Sequence, residues 1–172
     1  DTFTSVYVST EGFLQFGSAT LAFNGVNSTA ELLDYKRIAP LWDDLRTNGS
    51  GDDIFVDSST PGQVTFRWNA TNQADNSDVN FAVTLFATGR IRFDYGAGNA
   101  HLTPTVGLSL GDGHTAALVP DYDTAPALPH AASIEFSLQP SYVDIGAHEF
   151  RGSSIDATAP TVVGTDRKST RL

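Results

Sequence analysis

Gln63-Val64-Thr65-Phe66-Arg67-Trp68-Asn69 decides the fold. Val64, Phe66 and Trp68 recur at every second position, with polar or charged residues between them. A strand sends successive side chains to opposite faces, so this period describes a strand with one face in a core. Downstream, Phe81-Ala82-Val83-Thr84-Leu85-Phe86 and Arg90-Ile91-Arg92-Phe93-Asp94-Tyr95 flank Ala87-Thr88-Gly89 and form the clearest hairpin of the chain. Ile91, Phe93 and Tyr95 are expected to face inward, and Arg90, Arg92 and Asp94 outward.

The same texture extends in both directions. Phe3–Val8 leads through Ser9-Thr10-Glu11-Gly12 into Phe13–Phe16, a hairpin in which Gly12 supplies a positive φ. Ile54–Val56, Thr105–Leu110 and Ser133–Leu138 also read as strands. Helix signal is confined to Ala30–Tyr35, which Ser28 or Thr29 can cap. Short strands with frequent turn residues predict an all-β fold: an antiparallel β-sandwich with at most one short helix, spanning residues 1–140, and an extended C-terminal tail. Residues 141–150 read as an extra strand-like segment. Residues 151–172, rich in Ser, Thr, Ala and Gly, read as a linker or tail. The expected core is one apolar layer with Trp42 anchoring its rim.

Charge narrows the function classes. Asp and Glu number 20 against 10 Lys and Arg, and three of those bases fall in the last six residues. So acidic a body repels phosphate backbones, which argues against nucleic-acid partners. No apolar run approaches the roughly 18 residues that cross a bilayer. No basic segment followed by an apolar one opens the sequence, so any signal peptide is expected upstream of residue 1. Cys is absent, which removes disulfides, Cys-ligated metals and thiol catalysis.

Trp42-Asp43-Asp44 is the most specific constellation. The adjacent acids, with Asp52 and Asp53 and help from Asp57, could supply the oxygens that Ca²⁺ requires, about 6–8 of them. On this reading calcium is the only cofactor. The competing reading is structural: Trp42 fills the core, and one acid pairs with Arg67, Arg46 or backbone N–H groups. Arg46 stands where the EF-hand spacing needs an oxygen ligand. Phe66, Trp68 and Phe93, with Phe81 and Tyr95, suit a core better than a sugar-stacking platform. The four histidines show no metal-ligand spacing, and no nucleophile elbow or phosphate loop occurs.

Several of these blocks stand in a familiar order. Ser5–Gly17, with its Glu11-Gly12-Phe13, resembles the opening of a NIDO domain, the nidogen-type extracellular module. Ile38-Ala39-Pro40-Leu41-Trp42-Asp43-Asp44-Leu45 resembles that family's Ala-Pro-aromatic-Trp-acid-Asp block. Val64–Asn69, Asn80–Phe86, Gly89–Gly96 and Pro104–Ser109 resemble its later strands in order. The likeness covers roughly residues 5–113 and departs from the family in lacking cysteine. A shorter stretch, Val143–Phe150, resembles the closing segment of bacterial secreted parallel β-helix proteins, and Asp156–Val163 resembles the entry into a bacterial Ig-like module.

These resemblances imply a non-catalytic adhesion or spacer module of a larger exported bacterial protein, at the cell surface or outside the cell. The implied partners are neighbouring domains of the same polypeptide and an extracellular protein or glycan. Two alternatives belong to other classes. One is a calcium- or carbohydrate-binding recognition module. The other is a polysaccharide-acting enzyme domain, which needs two facing carboxylates across a cleft.

Overall fold

A computed structural model describes residues 3–17 and 27–137. The chain divides into a unit of Asp1–Ser137 and a second unit of Leu138–Leu172. The segment expected over 141–150, the tail 151–172 and the resemblances to β-helix and Ig-like proteins lie outside the described residues.

The strands are β1 (Tyr7–Val8), β2 (Leu14–Gln15), β3 (Lys36–Trp42), β4 (Leu45–Arg46), β5 (Asp53–Asp57), β6 (Gln63–Asn72), β7 (Asp78–Phe86), β8 (Ile91–Tyr95), β9 (Thr105–Leu110), β10 (Ala116–Leu118) and β11 (Ile134–Phe136). One helix, α1 (Thr29–Asp34), precedes β3, and the Ser28 hydroxyl caps it by accepting from the Glu31 N–H at 3.2 Å. The strands form two antiparallel sheets. The first runs β1-β2-β3-β9-β10 and the second β11-β8-β7-β6-β4, with β5 also paired to β6. The described residues form an antiparallel β-sandwich with one short helix.

The period-two stretches fall where their patterning requires. In β6, Phe66, Trp68 and Ala70 are buried, and in β8 Phe93 and Tyr95 are buried. They meet Leu14, Ile38, Leu41 and Val106 of the first sheet in the main core. Trp68 stacks on Phe81 of β7, centroids 4.9 Å apart and nearly parallel.

The core is not one layer. Trp42 joins Phe13, Leu32 and Ala39 in a second cluster, on the face of the first sheet that α1 covers. The cause is a bulge. Register between β3 and β9 shifts between Ala39 and Trp42, and Pro40, which has no N–H for the ladder, lies in the shifted stretch. Ile38 and Leu41 therefore both enter the main core while Ala39 and Trp42 share the other face. Strict alternation would have placed Trp42 with Ile38 in the inter-sheet layer. Arg37 is buried in this second cluster, its guanidinium 4.4 Å from the Phe13 ring, 4.5 Å from Tyr35 and 4.7 Å from Trp42. Its Nε donates to Gln15 Oε1 and one Nη to the Glu31 carbonyl.

Close approach of backbone requires glycine at Gly12 and Gly107, among other positions. Gly12 has φ +86, and a Cβ there would lie 1.9 Å from the Leu41 carbonyl oxygen. Gly107 of β9 lies under β10, and a Cβ would come within 2.5 Å of the Ala117 carbonyl oxygen.

Candidate functional site

The chain crosses from the first sheet to the second at Asp43-Asp44, between β3 and β4. It crosses back through residues 96–104, between β8 and β9, and crosses a third time through residues 119–133, between β10 and β11. The first two crossovers lie at one end of the sandwich, and the motif residues gather there.

Asp43 ties these two crossovers together. Its Oδ1 accepts from the Asp44 N–H at 2.9 Å and its Oδ2 from the Thr103 N–H at 2.7 Å. The Asp43 N–H donates to the Glu11 carbonyl at 3.1 Å, and the Leu45 N–H donates to Glu11 Oε2 at 3.0 Å. The turn between β1 and β2 thus grips both sides of the first crossover. The Trp68 indole N–H reaches from the second sheet to the Ser9 carbonyl at 2.8 Å. The Tyr95 hydroxyl donates to the Pro40 carbonyl at 2.8 Å, which satisfies a backbone acceptor at the bulge.

Electrostatics follow from burial. Desolvation raises the Glu11 pKa above its ordinary value, opposed by the Leu45 N–H and reinforced by the charges of Asp44 and Asp43. Desolvation also raises the Asp43 pKa, opposed by the hydrogen bonds from Thr103 and Asp44 and reinforced by the Asp44 charge. Burial pushes the Tyr95 hydroxyl well above the normal tyrosine range, so it stays protonated and donates. Asp112, in the exposed turn after β9, goes the other way, down to about 2, because the Thr115 hydroxyl and the His114 and Thr115 N–H groups bind its carboxylate.

The four candidate calcium ligands occupy different settings. Asp43 is buried and bonded to backbone, while its neighbour Asp44 is exposed and gives its carbonyl to the Gln73 N–H at 2.9 Å. Asp52 folds its own loop, its Oδ2 accepting from the Gly49 N–H and the Thr71 hydroxyl. Asp53 is exposed and accepts from the Ile54 N–H. Among the described residues, no three acidic or histidine side chains group as ligands of a metal ion. Neither arginine weighed as a partner for Asp43 or Asp44 has that role in its described contacts. Arg67 lies 4.2 Å over the Phe55 ring and Arg46 bonds Asn76. Phe66, Trp68 and Phe93 are buried in the main core, and Trp42 is buried in the second cluster.

Sequence reasoning missed three polar residues here. In sequence Glu11 reads as part of a turn and of the NIDO-like opening, with no bonding role assigned to its carboxylate. Asn99, fully buried, was not read at all. Its Oδ1 accepts from the Asn80 N–H at 2.7 Å and its Nδ2 donates to the Asn80 carbonyl at 2.9 Å, so one side chain extends the ladder beside β7. Its φ of +56 suits asparagine, and Gly98-Asn99 was the available signal. Asn72 is the third: its Nδ2 donates to the His101 carbonyl, which fixes the β6–β7 hairpin tip to the returning crossover.

Searches of curated proteins and of solved structures found no match to the chain. A family model described as NIDO related matches residues 1–143. With the Glu-Gly turn, the Trp-Asp-Asp crossover and the two-sheet topology accounted for, the chain belongs to the NIDO-related family.

Proposed function

We propose that this domain is a non-catalytic extracellular interaction module of a larger exported protein, holding neighbouring modules in place and presenting one edge to a protein or glycan partner. The observation that carries this reading is where the motif side chains go. Glu11, Asp43, Trp68 and Tyr95 all bond to the chain's own backbone, so the residues best able to do chemistry serve the fold instead. Membership of the NIDO-related family supports an extracellular interaction role. Among the described residues, no helix is long and apolar enough to cross a membrane.

The presenting edge is β5. Among the described strands it pairs only with β6, so its outer backbone groups are open to an added strand. Phe55 and Val56 on it are 42% and 60% exposed, between the carboxylates of Asp53 and Asp57. Exposed apolar residues on an open edge are what a binding strand needs.

The test uses the full chain, immobilised and exposed to panels of extracellular-matrix proteins and glycans. The expected result is saturable binding without turnover, weakened by Val56→Lys at unchanged melting temperature. Turnover of a glycan, or binding indifferent to Val56→Lys and to a Pro placed at Phe55, contradicts the reading.

A further inference from the structure

The two ends of the sandwich differ. The crossover end is closed by the bonds of Glu11, Asp43, Trp68 and Tyr95. The other end, where β3 begins and β9 ends, opens into a groove of about 860 Å³. Its floor is Ile38, Leu85, Ile91 and Leu108, from both sheets, and the exposed rings and side chains of Phe3 and Leu110 stand at its rim. The volume falls within the range of ordinary small-ligand sites, roughly 300–1,000 Å³.

Two features say what would fill it. The first is charge. The chain carries 20 acids against 10 bases, yet among the described residues no Asp or Glu lines the groove, whereas Lys36 and Arg90 do. Arg37 also borders it, but its guanidinium is engaged with the rings of the second cluster. Lys36 Nζ lies 5.2 Å from the Phe3 ring and the Arg90 guanidinium 3.9 Å from the Phe86 ring, so each cation is held against the apolar lining. Arg90 also pairs at 3.5 Å with Glu135 of β11, through side chains that are both well exposed to solvent. An exposed pair of this kind exchanges readily with a competing anion.

The second feature is the shortage of neutral hydrogen-bonding side chains. Both hydroxyls along the groove are already engaged. Ser109 Oγ donates to the Thr115 carbonyl and accepts from the Gly111 N–H, and Thr115 Oγ1 donates to Asp112. The apolar floor of Ile38, Leu85, Ile91 and Leu108 offers no side-chain donor or acceptor to a peptide backbone laid against it, whereas an alkyl chain needs none.

We infer that the groove between the sheets binds a long-chain carboxylate, its alkyl chain on Ile38, Leu85, Ile91 and Leu108 and its head group between Lys36 and Arg90. This site is separate from the β5 edge, so its failure would leave the interaction reading untouched.

The experiment titrates the full chain with sodium dodecanoate below its micelle concentration, by calorimetry and by displacement of a fluorescent apolar dye. One saturable site is expected. Arg90→Gln and Lys36→Gln should each weaken dodecanoate by about tenfold, the scale of one charge-assisted contact. Dodecyltrimethylammonium, with the same chain and opposite charge, should bind more weakly than dodecanoate. Leu108→Trp, which fills the floor without adding charge, should abolish binding. Because that variant could disturb packing, the two surface variants carry the test by themselves, with melting temperature as the check on folding. Absence of saturable binding overturns the inference, as does equal affinity for the cationic amphiphile or indifference to both charge variants. Self-association through this face without uptake of dodecanoate overturns it too, and assigns the groove to a second copy of the chain.

Discussion

The Asp43 side chain by itself joins the first crossover to the returning one. Each carboxylate oxygen accepts a different backbone N–H, one on each crossover. An asparagine has a single acceptor oxygen, so Asp43→Asn leaves one N–H facing an NH₂ group. The expected cost is about 1–3 kcal/mol in denaturant unfolding, and an unchanged midpoint would contradict the assignment. Glu11 behaves differently. Folding raises its pKa, so the folded state holds the proton more readily than the unfolded chain. The stability this confers is complete below the unfolded pKa and is lost as pH rises through the folded one. Glu11→Gln keeps an oxygen for the Leu45 N–H and removes the charge. It should be more stable than the parent at pH 7, with the gap closing as pH falls through the raised carboxyl pKa. A gap that widens on acidification refutes this. Millimolar Ca²⁺, compared with Mg²⁺, should leave the melting temperature unmoved, since specific binding to the folded state would raise it. The sequence exposed this site only in part. Trp42-Asp43-Asp44 stood out as a cluster, and hydrogen bonding of one acid to backbone was among its readings. Glu11 and Asn99 did not stand out, because their partners lie on the far crossover and on β7, a distance in sequence that no local pattern records.

Among the elements, β6, β7 and β8 were legible because one face of each is buried and period two survives. β3 was not read as a strand. Its residues Arg37–Trp42 are all buried, since α1 covers one face and the second sheet the other, so no alternation remains. β10 has three residues and β4 two, too few to show a period. The helix was legible through its cap and ran from Thr29 to Asp34. The bulge near Pro40 was hidden because it changes which face a residue takes without changing the residues. It moves Trp42 beneath the helix, where its ring meets Phe13 edge-on with centroids 5.1 Å apart. Trp42→Ala should therefore cost about 3–5 kcal/mol, the range for emptying a large aromatic from a core. It should also loosen α1, seen as faster amide exchange at Leu32 and Leu33. A loss under about 1 kcal/mol would place the ring outside a packed cluster.

At the scale of the whole sandwich, two ends with opposite character follow from one topology. The chain twice changes sheets at one end, and the buried polar groups of the crossovers demand hydrogen bonds, which Glu11, Asp43, Trp68 and Tyr95 supply. At the other end, apolar residues of β3, β7, β8 and β9 line the open groove. The two-sheet, antiparallel class could be read from strand patterning and turn residues. Which end closes could not, because it depends on contacts between residues far apart in the chain, such as the 60 positions from Asp43 to Thr103. The claim on which all of this rests is that the motif residues lock the crossovers. Native-state amide exchange followed by NMR tests it most directly. The account predicts that the Asp43, Leu45 and Thr103 amides and the Trp68 indole N–H exchange only through global unfolding, as slowly as the centre of β6 and β7. Rapid exchange at those four sites, while β6 and β7 stay protected, would contradict it.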